Sequence, residues 1–266
     1  MDYGEIISDS IDYSRNALVG NWKTWLALIA CGLPFALMNF LFDPEKMQIA
    51  GYWIDFPWGQ FIALLLAGFL LSFLAEGYVV RVLRGFTPPP EFDNWVSLYL
   101  DGIKVLIVQI IWFIPVVVVF GITVFFFAFA DAIKGSGLAM PVRIGVLLLI
   151  VVAIVFTILI LLCISIAVVR YARTGSIREG IRYSAVLETI RAIGWGSYIL
   201  ALIVLLITAI IYFLVLALFA MIPFIGWVLN LALSPFFFVF SARYFSRVYD
   251  HATPLELPVS APAAGV

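Results

Sequence analysis

Residues 192–242 contain no charged side chain across fifty-one consecutive positions. No soluble domain can bury so long a run in one helix. At about 1.5 Å of rise per residue it would also far exceed the roughly 30 Å hydrocarbon core of a bilayer. The run has to fold back on itself, and Pro223-Phe224-Ile225-Gly226 marks the turn, where proline removes a donor and glycine permits the bend. Four further charge-free runs, 24–42, 56–75, 105–130 and 144–169, each fit one helix, and the five together exceed half the chain. Of all residues 65% are hydrophobic and 12% are charged, about half the charged share of a soluble domain. A soluble enzyme, a secreted disulfide scaffold and a disordered chain are excluded. Period-two alternation is absent and the runs are too long for barrel strands.

The sequence therefore predicts an all-α membrane protein, a bundle of six transmembrane helices at about 22–42, 58–81, 103–129, 142–170, 195–222 and 226–248. Lysine and arginine placement gives the orientation. Twelve cations (Arg15, Lys23, Arg81, Arg84, Lys104, Arg170, Arg173, Arg178, Arg182, Arg191, Arg243 and Arg247) fall on the side of the termini, and three (Lys46, Lys134 and Arg143) fall opposite. Both termini are expected in the cytoplasm, at the plasma membrane. The first run is preceded by Asp2, Glu5, Asp9 and Asp12, with no basic n-region, and so does not read as a cleavable signal. The tail, 251–266, holds Pro254, Pro258 and Pro262 among small residues and is expected to be disordered.

Polar segments precede the odd spans. Ile7, Ile11, Ser14 and Leu18 fall on one helical face, with Glu5, Asp9, Asp12 and Asn16 opposite, which predicts an amphipathic helix on the cytoplasmic surface. Phe92, Trp95 and Tyr99 form a second such face after the helix-starting stretch Thr87–Glu91. A third segment, Ser176–Ser184, ends in six residues that echo Asp9–Ser14. The even spans close on matching arginines: Arg81 and Arg84, Arg170 and Arg173, Arg243 and Arg247. Three hairpin units, 1–85, 86–173 and 174–250, account for this pattern. So does the alternative, that juxtamembrane helices and basic helix ends are general features of multi-pass proteins. If the units are real, Asp9 and Asp12 are charge-complementary to Arg178 and Arg182.

Chemistry is sparse. His251 is at the C-terminal edge. Cys31 and Cys163 sit singly in spans, without metal-ligand spacing. No phosphate loop, nucleophile–base pairing or zinc motif is present, so no catalytic, cofactor or metal residue is assigned. Glu76 is the one carboxylate inside an apolar span, where a charge needs a partner or water. It is read either as paired with an arginine such as Arg243 or as an ion- or proton-binding group. Gln109 and Asn230 join it as a candidate intramembrane polar site, and Asn39 is a further polar residue; interhelical hydrogen bonding is the default role of the three amides. Pro34, Pro115 and Pro235 are read as packed kinks, with a broken, site-lining helix as the alternative. The glycines 59, 68 and 77 do not make a small-xxx-small dimer motif. Arg81, Arg84, Arg170, Arg173, Arg178, Arg182, Arg243 and Arg247 are candidate anionic-headgroup contacts, or simply set topology. Nucleic acid is not an expected partner; the bilayer and other membrane proteins are.

Pro90-Glu91-Phe92-Asp93-Asn94-Trp95, then Tyr99-Leu100-Asp101-Gly102-Ile103-Lys104 leading to Ile114-Pro115, together with Glu76-Gly77-Tyr78 before Arg81 and Arg243-Tyr244, resemble an archaeal multi-pass membrane family known only as domain of unknown function 4013. The resemblance covers about 1–250; the extra prolines Pro88-Pro89 depart from it. It implies an archaeal plasma membrane and brings no functional residues. The leading functional expectation is a non-catalytic scaffold, assembly or lipid-organising module. The second is a transporter component for a small solute or ion, and the third an intramembrane lipid enzyme, which needs two convergent titratable groups. A polar cavity around Glu76, Gln109 and Asn230 would favour the second reading over the first.

Overall fold

The structure, a computed structural model, describes residues 1–42, 57–133, 135, 139–222 and 225–252. Every regular element among them is helical: α1 (Tyr3–Leu18), α2 (Trp22–Leu41), α3 (Trp58–Leu83), α4 (Trp95–Ala132), α5 (Ala139–Thr174), α6 (Ile177–Gly180), α7 (Tyr183–Ile193), α8 (Trp195–Ala220) and α9 (Ile225–Asp250). The helices α3, α4, α5, α8 and α9 are long and apolar enough to cross a membrane, whereas α2 is a shorter apolar helix over Trp22–Met38. The long uncharged run does divide, with α8 ending at Ala220 and α9 starting at Ile225. Pro223 and Phe224, Lys46, Lys134, the 43–56 segment, the tail from 253 and the side chain of Asn39 lie outside the described residues.

Three helices, α3, α5 and α9, touch one another pairwise along the centre. Each outer helix fills the groove between two of them. α2 packs on α3 and α9, and α4 on α3 and α5. α8 packs on α9 and reaches α5, where the Tyr198 hydroxyl donates to the Leu162 carbonyl at 2.6 Å. Aromatic donors tie further pairs. Trp25 on α2 donates to Ala232 of α9 at 2.7 Å, and Tyr244 on α9 donates to Ala201 of α8 at 2.8 Å. Each such bond between apolar helices contributes about 1 kcal/mol. Outward positions such as Val117, Phe125, Leu147 and Leu206 are exposed, as they are where the surrounding medium is itself apolar.

The backbones of α3 and α4 approach closely at two glycines. A Cβ on Gly77 would stand 1.9 Å from the Leu98 carbonyl oxygen, and one on Gly102 would stand 1.9 Å from that of Phe73. The two glycines let the backbones meet, so Gly77, which has no dimerisation motif, serves a contact within the chain.

Several expectations are corrected. The buried face of α1 is Ile6, Ser10, Tyr13, Ser14, Ala17 and Leu18, while Ile11 is exposed. Hydropathy scored Ser10 as polar, but small serines admit the neighbouring helix and satisfy themselves locally: Ser10 and Ser14 each donate to the carbonyl four residues back at 2.7 Å. The second surface helix does not exist as a separate element. Residues 87–91 are not helical. Asn94 caps Trp95, accepting from the Ser97 amide at 3.4 Å, and α4 then runs unbroken for 38 residues, about 57 Å at helical rise. Nothing between Asp101 and Lys104 breaks it. Phe92 lies before the helix, stacked on Tyr78, and Trp95 is exposed. The third segment splits into α6 and α7, and α7 joins α8 at Gly194, whose φ of 91° belongs to the left-handed region. The helices α2, α4 and α9 continue through Pro34, Pro115 and Pro235, so none is broken there.

Candidate functional site

Two polar assemblies stand out, both built on the central helices. The first is at the arginine-rich end. Arg81 pairs with Asp93 and donates to the Glu91 carbonyl at 3.1 Å. Arg84 meets Asp101 at 2.7 Å. Arg170 meets Glu179 at 2.8 Å and donates to the Thr189 hydroxyl at 3.0 Å. Arg173 meets Asp250 at 2.6 Å and donates to Ser246 at 2.9 Å. Arg243 meets Asp9 at 2.8 Å with its guanidinium 4.5 Å over the Tyr13 ring, and Arg247 stands 3.4 Å from Asp9 and 3.7 Å from Glu5. The expected pairing of Asp9 and Asp12 with Arg178 and Arg182 is therefore not made. α1 packs on α9, where Arg243 and Arg247 lie, and Arg182 turns to Glu179 at 3.5 Å. Arg178 is exposed, with no ion pair among the described residues.

The direction of these pairs is regular. The arginines ending α3 bind acids of the segment that follows, those ending α5 bind acids in the last third of the chain, and those ending α9 return to α1. Seven of the eight candidate headgroup arginines, all but Arg178, thus have an ion pair among the described residues. The hydrogen bond from Arg170 holds the Glu179 carboxyl below its ordinary range. Burial pushes the Tyr13 phenol up to about 12, with Arg243 acting in the opposite sense.

The sequence reading passed over Asp101. It is 6% exposed, bonded to Arg84 and accepting from the Tyr171 hydroxyl at 3.2 Å, with Lys104 at 3.9 Å. Its place at the edge of an apolar run made it look like an ordinary solvated charge.

The second assembly surrounds Glu76. Two crevices meet at Glu76 and Phe238, which line both. One, about 200 Å³, extends toward the arginine-rich end and includes Gln109, Ser165, Ser241 and Phe245. The other, about 230 Å³, extends the opposite way and includes Cys31, Phe35, Ser72, Ser234 and Pro235. Glu76 has no hydrogen-bond or ion-pair partner among the described residues, and Arg243, its expected partner, is held by Asp9. Asn230 is not part of this site: its amide donates to the Gly226 carbonyl at 2.8 Å and to the Leu216 carbonyl at 3.3 Å, closing the far end of α8 and α9. Ser165, Ser241 and Phe238 were missed. A signal existed, since Glu76, Ser165 and Phe238 each sit five residues before Arg81, Arg170 and Arg243.

A family model described as a protein of unknown function, DUF4013, matches residues 60–230. The chain belongs to the DUF4013 family. The match takes in α3 to α8, with Glu76, Asp101, Gln109 and Ser165, and stops short of Phe238 and Arg243. No curated protein and no solved structure matches this DUF4013 chain.

Proposed function

We propose that this DUF4013 protein is a non-catalytic membrane protein that carries a small solute or ion, a transporter component organised around Glu76. The observation behind this reading is the unpartnered Glu76 carboxylate at the junction of two crevices that extend in opposite directions along the bundle. A charge inside an apolar span is costly and is characteristically placed on a substrate or ion path. Only Glu76 and Cys31 are titratable among the lining residues, which falls short of an acid–base pair for lipid chemistry, so no reaction is proposed. The test is uptake into vesicles carrying the purified protein, with a panel of labelled cationic and neutral solutes. Wild-type protein should accumulate at least one of them and Glu76→Gln should not. If no solute crosses faster than in protein-free vesicles, the reading is lost.

The same proposal includes six spans, termini in the cytoplasm, and three units, 1–85, 86–173 and 174–250, closed head to tail by the arginine pairs. The cyclic direction of those pairs supports the units, and the excess of arginines and lysines at one end supports the orientation. Membrane-impermeant labelling of a single cysteine placed at position 50 should succeed only from outside the cell.

The scaffold reading keeps one specific support, the exposed Arg178 and Arg182 beside α7, which suit anionic headgroups or an acidic partner in the membrane. Replacing both with glutamine should weaken binding to anionic vesicles and leave solute uptake unchanged.

A further inference from the structure

The lining of the Glu76 crevices narrows the class of solute. Ser72, Ser165, Ser234 and Ser241 each donate to a carbonyl of their own helix, at 2.7, 3.3, 3.0 and 3.0 Å. With their protons committed, they present lone pairs. Gln109 supplies the one amide. Among the described residues no lysine, arginine or histidine lines either crevice, so nothing in the lining offsets the negative charge that Glu76 carries when ionised. Aromatic side chains line both as well, Phe35 and Phe238 in one crevice and Phe238 and Phe245 in the other.

These features disfavour an anion, which would need donors. They also disfavour a bare metal ion. Hard cations take six or more close oxygens, and a divalent ion is characteristically held by several carboxylates. Here one carboxylate stands in a largely apolar wall, and no group of three metal-binding side chains occurs among the described residues. Each crevice has room for several water-sized groups, a water occupying about 30 Å³ of liquid. A carboxylate beside aromatic faces is the pairing that recognises an organic ammonium, by charge and by cation–π attraction.

Resting on the carrier reading, we propose that the Glu76 crevices bind a small monovalent organic cation, its ammonium against Glu76 and its apolar body against Phe238 and its aromatic neighbours. Three of the lining positions, Glu76, Ser165 and Phe238, fall at the same distance before the arginines that end α3, α5 and α9. The site thus lies where the three central helices face one another. One of the three supplies the charge, one a hydroxyl oxygen and one the aromatic face.

The experiment is calorimetric titration of the full chain in lipid nanodiscs with benzyltrimethylammonium, alongside its neutral isostere neopentylbenzene. Wild-type protein should bind the cation saturably and the isostere at least tenfold more weakly. Glu76→Gln should lose at least tenfold in affinity, Glu76→Asp should retain most of it, and Phe238→Ala should lose roughly fivefold, the scale of a solvent-accessible cation–π contact. Size-exclusion profiles separate loss of binding from loss of fold, and Phe238→Ala keeps the test available if Glu76→Gln fails to fold. Equal binding of the neutral isostere, undiminished binding by folded Glu76→Gln, or absence of saturable binding would each overturn the cation class. A site for an inorganic ion would show instead as sodium- or potassium-dependent thermal stabilisation without benzyltrimethylammonium binding, and this too overturns it. The carrier reading fails separately: binding without uptake into vesicles leaves the site standing and removes transport, whereas uptake confined to neutral solutes leaves transport standing and removes the cation.

Discussion

Asp101 has an 8% exposed side chain and holds Arg84, Tyr171 and, at longer range, Lys104. Removing it leaves a partly buried arginine uncompensated, which costs far more than losing a surface pair. Asp101→Ala should lower stability by about 3 kcal/mol, read from denaturation in detergent. Replacing the exposed Glu188 by alanine should leave it nearly unchanged. Glu179 carries a pH signature. Its folded carboxyl is held below the ordinary value of 4.5 by Arg170. The resulting stabilisation is complete above the unfolded value and disappears as pH falls through the lower folded value. The melting-temperature gap between wild type and Glu179→Gln should therefore be full at pH 6 and close as pH falls below about 4.5. A gap that widens in acid would contradict the Arg170 pairing.

At the scale of the element, the crossing of α3 and α4 depends on two missing side chains. Gly77→Ala forces a methyl group onto the Leu98 carbonyl, and backbone cannot step aside as a flexible side chain would. Overpacking of this kind costs about 1–3 kcal/mol, so Gly77→Ala and Gly102→Ala should each lower the melting temperature. Gly121→Ala on the same α4, with nothing within 4 Å of its added carbon, should not. The sequence did not disclose this contact, because a glycine in an apolar run reads alike whether it faces lipid or another backbone. It did disclose where each described long helix lies, although the helices outrun the charge-free stretches: α4 starts at Trp95, ten residues before its run, and α9 continues to Asp250. The buried face of α1 was misread by one residue, because small residues such as Ser10 are neutral to hydropathy and decisive to packing.

On the scale of the whole molecule, the Arg243–Asp9 pair joins the last helix to the first. Arg243 is nearly buried, with 7% of its side chain exposed, so Asp9→Ala strands a cation. The variant should lose about 3 kcal/mol and expose α1 to added protease, while the double exchange Asp9→Arg with Arg243→Asp should recover part of the loss. A bis-maleimide reagent should crosslink cysteines at positions 9 and 243, whose native side chains meet, and not cysteines at 12 and 182. Either the reverse pattern or equal yields would refute the closure seen here.

What the sequence determined by itself is the all-helical architecture, the folding back of the 192–242 run, the family, and the prominence of Glu76. Each follows from a one-dimensional property, the length of uncharged stretches or a short motif, which a helix preserves almost unchanged. Tertiary structure alone decided the pairings. It gave Asp9 to Arg243 instead of Arg178 or Arg182, set Gln109 in a crevice that Glu76 also lines while leaving Asn230 at the far end, and buried Asp101. Which charge meets which depends on how helices are arranged around one another, and in an apolar medium that arrangement is set by small residues and close backbone contact, which hydropathy and charge do not encode.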